Sequence, residues 1–232
     1  MVLEALKRKA LVGHRGFPAK FLENTLESLE GALKAGADIV EVDLQRTKDG
    51  FLVLSHDRNL KRTFGVDLDI EESNWEDLHR IRKGSYRLAR LEEALELVNG
   101  RAGMFLEVKN PQTASEVIRL VEDRGAQEWT ALISFHPEAL EPARGRLITG
   151  LIYFKPPGRI PEAKKLGCRL VLPKYPLATE KAVNFAHRLG LYVVAWTVNE
   201  PPKALELFQR GVDSVATDNI ELLKKELSLL WP

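Results

Sequence analysis

Eight short, mostly apolar runs recur along the chain, at residues 11–12 (leading to His14), 38–44, 104–109, 131–135, 150–154, 169–172, 192–197 and 214–217. Stretches whose apolar positions return every three to four residues lie between them, at 25–35, 91–98, 114–123, 137–144, 160–166, 179–189 and 202–210. The first pattern predicts strands buried on both faces and the second predicts amphipathic helices. Gly36, Gly167, Gly190 and Gly211 follow the last turns of four of these helices, where a left-handed C-cap belongs.

Alternating strands and helices predict a parallel sheet covered on both sides. Eight such units in 232 residues predict a TIM-type (β/α)8 barrel over one domain, 1–232, rather than an open doubly wound sheet. The absence of a GxGxxG or P-loop glycine pattern agrees with closure. One long excursion, 57–90, carries mixed polar and helical signals and is expected over a barrel face. Ser73-Asn74-Trp75-Glu76-Asp77-Leu78 within it has the pattern of a capped helix start.

Hydrophobic residues make up 44% of the chain and charged residues 29%, with a net charge of +1. That balance supports a sizeable core and a mixed-sign surface, and it excludes a nucleic-acid stripe. No segment approaches membrane-spanning length, and residues 1–10 lack the apolar centre of a signal peptide. A single cysteine, Cys168, excludes an internal disulfide and is expected as inert core. These features predict a cytoplasmic protein without stable membrane insertion.

The chemistry gathers at strand ends. Glu41 and Asp43 are two apart, so the pleat turns both to one face while Val40, Val42 and Leu44 face the other way. Glu107 and Lys109 share a face of the next barrel strand, with Leu106 and Val108 opposite. Glu41, Asp43 and Glu107 are expected to converge on one cation, and an all-carboxylate set favours Mg²⁺ or Ca²⁺ over zinc. Asp49-Gly50 signals a hairpin. A turn of two or four residues would pair His56 with Asp43 or Glu41 and return its ring to the acidic face; an odd-length turn would not. His14 ends the first strand, and two imidazoles can divide acid and base work near neutral pH. Arg15 beside it suits a phosphate. The set points to metal-assisted cleavage of a phosphate ester.

Several residues have simpler assignments. Lys109 is either part of this site or a counter-ion for Glu107. Trp196 is either a substrate platform or a barrel-filling side chain. Asn24-Thr25 is a helix start, with a pocket role for Glu23 or Asn24 secondary, and His79, His136 and His187 are surface or packing residues.

His14-Arg15-Gly16 with Glu23-Asn24-Thr25, then Glu41-Val42-Asp43 through Thr47-Lys48-Asp49-Gly50 to His56-Asp57, resemble the opening blocks of the glycerophosphodiester phosphodiesterase family. Glu107-Val108-Lys109, Ser134-Phe135, Trp196-Thr197-Val198-Asn199 and Thr217-Asp218 are similar to its later strand-end motifs. Leu22 departs from the family's frequent proline there, and His136 from a common acidic residue. The resemblance implies the same barrel, His14 and His56 as the acid/base pair, and Glu41, Asp43 and Glu107 on a divalent cation. It also implies Arg15 and Lys109 on the phosphate of a small glycerophosphodiester. Hydrolysis would yield glycerol 3-phosphate and an alcohol through a cyclic phosphate. The alternatives are a lysophospholipase-D-like activity on lysophospholipids and a non-catalytic phosphometabolite-binding barrel.

Overall fold

The computed structural model describes residues 1–230. In chain order the elements are α1 (Val2–Leu6), β1 (Ala10–Gly13), α2 (Leu26–Lys34), β2 (Ile39–Arg46), β3 (Leu52–Leu54), α3 (Lys61–Phe64), α4 (Trp75–Leu78), β4 (Arg82–Lys83) and β5 (Tyr86–Arg87). They continue with α5 (Leu91–Val98), β6 (Gly103–Val108), α6 (Ala114–Asp123), β7 (Thr130–Ser134), α7 (Pro137–Leu140), β8 (Ile148–Tyr153) and α8 (Ile160–Lys165). The last are β9 (Leu170–Pro173), α9 (Glu180–Arg188), β10 (Tyr192–Ala195), α10 (Pro201–Gln209), β11 (Ser214–Thr217) and α11 (Ile220–Leu230).

Strands β2, β6, β7, β8, β9, β10, β11 and β1 pair in parallel in that order, and β1 returns to β2, so the eight close into a barrel. Its register sorts the side chains as the pleat demands. Val12, Ile39, Phe105, Ile133, Ile152, Leu172, Val194 and Ala216 fill the interior. Leu11, Val40, Val42, Leu106, Leu132, Leu151, Val171 and Val215 face the helices. The short α1, which the apolar periodicity did not announce, adds Val2, Ala5 and Leu6 to the interior cluster. It closes the N-terminal mouth, so the open mouth lies at the strands' C-terminal ends. Among the described residues, no helix is long and apolar enough to cross a membrane.

The excursion after β2 is a hairpin followed by short helices, as expected, with a core of its own: Val53, Leu60, Phe64, Ile70, Leu78 and Leu88. Leu22 packs against that core and ties the first loop to the excursion. The helix start at Asn74 is real, but the Asn74 side chain does not cap it. Asp49 of the hairpin turn instead accepts from the Trp75 N–H at 2.9 Å.

The hairpin register corrects the even-turn expectation. Leu44 pairs with Leu54 and Arg46 with Leu52, and the Thr47 N–H donates to the Phe51 carbonyl at 2.9 Å. The turn therefore holds three residues, Lys48-Asp49-Gly50, with Gly50 at φ +91° supplying the left-handed position such turns need. Ser55 then stands opposite Asp43, its N–H on the Asp43 carbonyl at 3.0 Å. Strand parity alone would send His56 to the helix side. Its ring instead lines the barrel-mouth cavity, because β3 ends at Leu54 and the chain bends. The Ser55 hydroxyl donates to the Asp57 carbonyl at 2.7 Å, and Gln45 Nε2 donates to the His56 carbonyl at 3.1 Å.

Candidate active site

A cavity of about 290 Å³ opens at the C-terminal mouth. One side is polar, with His14, Arg15, Glu41, His56, Glu107 and Lys109, while Phe135, Phe154 and Trp196 stand on the other.

The acidic cluster follows from the β2–β6 register. Asp43 lies beside Glu107, and Glu41 lies one inward-facing position deeper, beside Phe105. One oxygen from each of the three carboxylates lies within 4.8 Å of the others. Glu41 is 4% exposed, Asp43 1% and Glu107 9%. Lys109 Nζ sits 2.8 Å from Asp43 Oδ1 and 2.6 Å from Glu107 Oε1, and Arg15 Nε lies 3.2 Å from Asp43 Oδ2. Lys109 is thus a counter-ion as well as a cavity residue.

Two side-chain cations against three carboxylates leave a negative charge over, and it is felt at Glu41. Its Oε2 accepts from the Arg15 N–H at 2.8 Å, while its buried Oε1 has no hydrogen-bond partner. Burial, then the charges of Asp43 and Glu107, push the Glu41 carboxyl well above the ordinary range. Burial and Asp43 push Glu107 up to about 7 against the pull of Lys109. Burial acts on Asp43 too, but Lys109 and Arg15 overrule it and hold that carboxyl well down. An orphaned buried oxygen in an all-oxygen cluster is compatible with a divalent cation.

Each imidazole is held at one nitrogen. His14 Nδ1 lies 2.8 Å from Asp218 Oδ1, and His56 Nδ1 lies 2.7 Å from Asp57 Oδ1. Burial raises both aspartates, but His14 and Asn199 hold Asp218 below its usual value, and Arg62, the strongest influence, holds Asp57 down. A carboxylate accepts, so Nδ1 carries the proton and Nε2 is the free nitrogen of each ring. Extending the β1–β11 register from Val12–Ala216 by two residues brings His14 beside Asp218. That signal was present in the strand-end Thr217-Asp218, and closure makes the two strands neighbours, but the contact required their exact register.

Glu23 and Asn24 are more central than their place before a helix suggested. Thr25 is the N-cap of α2, accepting from the Ser28 N–H at 3.2 Å. Asn24 turns inward at φ +56° and clamps Asp43, and Glu23 accepts from Arg15 Nη1 at 2.9 Å. The loop carrying Arg15 folds tightly onto α2 at Gly16, where a Cβ would lie 2.4 Å from Ser28 Oγ and 2.6 Å from the Ser28 backbone. Trp196 lines the cavity, with its indole N–H on the Leu172 carbonyl at 2.7 Å and its ring edge-on to Phe135. His136 and His187 are exposed, His79 packs on Trp75, and Cys168 is buried with its thiol pushed up by burial.

The chain is similar over most of its length to known proteins and solved structures. The chain is 25% identical over 233 residues to the glycerophosphodiester phosphodiesterase of Caldanaerobacter subterraneus subsp. tengcongensis, covering 92% of this chain and 95% of that one. Among solved structures, a phosphodiesterase of Oleispira antarctica in complex with the product sn-glycerol-3-phosphate superposes with a TM-score of 0.86 at 26% identity, covering 94% of this chain and 96% of that one. The glycerophosphodiester phosphodiesterase of Thermotoga maritima superposes with a TM-score of 0.81 at 28% identity, covering 94% and 98%. Residues 14–222 match the glycerophosphoryl diester phosphodiesterase family model, and the chain belongs to that family of hydrolases.

Proposed function

We propose that this chain hydrolyses small glycerophosphodiesters to glycerol 3-phosphate and an alcohol, with His14 and His56 as the acid/base pair. The observation that carries this reading is the pairing of two aspartate-held imidazoles with a buried carboxylate cluster in one cavity. Glu41, Asp43 and Glu107 would hold the divalent cation, Mg²⁺ or Ca²⁺. When bound, that ion supplies a lowered pKa to a substrate hydroxyl and takes up charge at the phosphate. One imidazole removes the proton of the glycerol 2-hydroxyl as its oxygen attacks phosphorus. The other protonates the departing alcohol oxygen, and water then opens the cyclic phosphate with the roles exchanged. Arg15 and Lys109 face the non-bridging oxygens and support the charge that grows there. Trp196, with Phe135 and Phe154, forms the wall for the alcohol. One buried cysteine fits a reducing, cytoplasmic setting.

Phosphorus NMR of glycerophosphocholine with the protein and Mg²⁺, with and without EDTA, tests the reading. Formation of glycerol 3-phosphate that stops on chelation is expected. An unchanged spectrum with Mg²⁺ and with Ca²⁺ would favour the non-catalytic barrel. The apolar wall, with Phe154 50% exposed at its rim, favours lysophospholipids as a second substrate class. Lysophosphatidylcholine in the same assay tests that.

A further inference from the structure

We propose that Arg62, which lies outside the cavity lining, is a positioning residue that ties the His56 arm of the site to the Arg15 arm. This rests on the acid/base and phosphate roles proposed above for His56 and Arg15. Arg62 stands on α3 of the excursion, and its guanidinium is shared between two carboxylates. Nε donates to Asp57 Oδ2 at 2.6 Å, while Nη1 and Nη2 donate to Glu23 Oε1 and Oε2 at 2.7 and 2.9 Å. Asp57 holds His56 Nδ1 through its other oxygen, and Glu23 holds Arg15 Nη1. The chain of contacts runs His56–Asp57–Arg62–Glu23–Arg15 and ends on Asp43.

The two histidines differ in what anchors them. Asp218 follows directly on barrel strand β11, and Asn199 and His14 occupy its two oxygens at 2.8 Å each. His56 lies past the end of β3, on a chain that has left the sheet and packs on a core separate from the barrel. The sheet reaches its backbone, through the Ser55 N–H on the Asp43 carbonyl and Gln45 Nε2 on the His56 carbonyl, but its ring is held by Asp57. Arg15 is likewise on a loop, at φ +54°. The Arg15 backbone is held by Glu41, Asn24 and Ser28, so what the forked, charge-assisted Arg62 pair adds is the placement of two loop-borne side chains, Arg15 through Glu23 and His56 through Asp57. An ordinary half-exposed ion pair contributes little to stability. Here the value of the pair is placement, since an angstrom of error at an acid/base group is felt in turnover.

The test is steady-state kinetics with glycerophosphocholine and Mg²⁺ for H56A, R62A, D57N and R62A/D57N, with a thermal melt of each. For R62A, kcat is expected to fall about tenfold or more and KM to rise several-fold, with a cooperative melt near the parent's. R62A/D57N should be no more than about twofold slower than the slower single variant, because both cut one chain. R62K keeps the charge without the fork and should fall between R62A and the parent. Parental kcat and KM in R62A, or effects of R62A and D57N that multiply, overturn the proposal. If R62A loses its cooperative melt, R62Q and R62K carry the comparison, and parental kinetics in R62Q overturn it equally. H56A separates the two layers: turnover in H56A sinks the acid/base reading itself, whereas inactive H56A beside parental R62A sinks only the tie.

Discussion

Asn24 grips Asp43 twice: its Nδ2 donates to Asp43 Oδ2 at 2.9 Å, and its Oδ1 accepts from the Asp43 N–H at 3.1 Å. The clamp fixes both the carboxylate and the strand that carries it. Support of this kind around a metal ligand is typically worth about ten- to a hundredfold in metal affinity. Asn24→Gly removes the amide and suits the left-handed backbone at φ +56°. Activity of N24G is expected to need about ten- to a hundredfold more Mg²⁺ or Ca²⁺ for half-maximal rate. A metal titration matching the parent's would show that the clamp serves only the fold.

His14→Ala and His56→Ala should each lower kcat by about a hundredfold or more. Neither ring is fully buried, with side-chain exposures of 21% and 39%, so both variants should keep a cooperative melt. Asp218→Asn should cost less than His14→Ala, because the ring remains and only its tautomer and orientation are released. Single-turnover rates with glycerophosphocholine check all three. A D218N enzyme as fast as the parent would remove the aspartate from the proposal.

The barrel was legible because short apolar runs, helix periodicity and glycine caps agreed along the chain. The inward facing of Glu41, Asp43 and Glu107 was equally legible, since strand parity is a local property. His56 was placed in the cavity on a false premise: the turn is odd, and the ring arrives by a bend beyond the strand. Single residues after a strand end carry no periodic signal, so neither that bend nor the Asp57 and Arg62 contacts could be read locally. The expected closure makes the first and last strands neighbours, but the His14–Asp218 contact depends on their exact register and the Asn199–Asp218 contact on the loops that follow β10 and β11, neither of which periodicity reports. Asn24 was hidden by its neighbour, since a helix start needs only one capping residue and Thr25 takes that role.

Glu41→Gln should separate stability from metal binding. The carboxylate is buried with one unpartnered oxygen and two acidic neighbours, so in EDTA the neutral amide relieves repulsion and can donate to Asp43 or Glu107. The metal-free variant is expected to be as stable as the parent or more so, by up to about 2 kcal/mol. Its gain on adding divalent cation should nearly vanish, whereas a parent at a hundredfold over Kd gains about 2.7 kcal/mol. Melts with EDTA and with excess Mg²⁺ or Ca²⁺ measure both. An E41Q melt that rises with metal as much as the parent's would exclude Glu41 as a ligand.

Glu107 is expected to set a pH dependence in the metal-free protein that a bound cation removes. Its carboxyl in the folded, metal-free protein is raised from 4.5 to about 7 by burial and Asp43, and Glu41 is raised as well. Between those values the folded state holds a proton that the unfolded state has lost, so stability falls as pH rises and the full penalty is present above about 7. For Glu107 alone the span corresponds to about 3 kcal/mol. The depressed carboxyls of Asp218, Asp57 and Glu23 act oppositely but only as pH falls through and below the ordinary carboxylate range, outside this window. A bound cation replaces the protons, so its affinity should rise with pH and the loaded protein should not share the decline. In EDTA the melting temperature is expected to drop from pH 5 to pH 8, with a shallower drop in Glu107→Gln, while the metal-dependent increment grows over the same range. A metal-free melting temperature that climbs between pH 5 and pH 8, unchanged in E107Q, would mean that the cluster is not charged in this way.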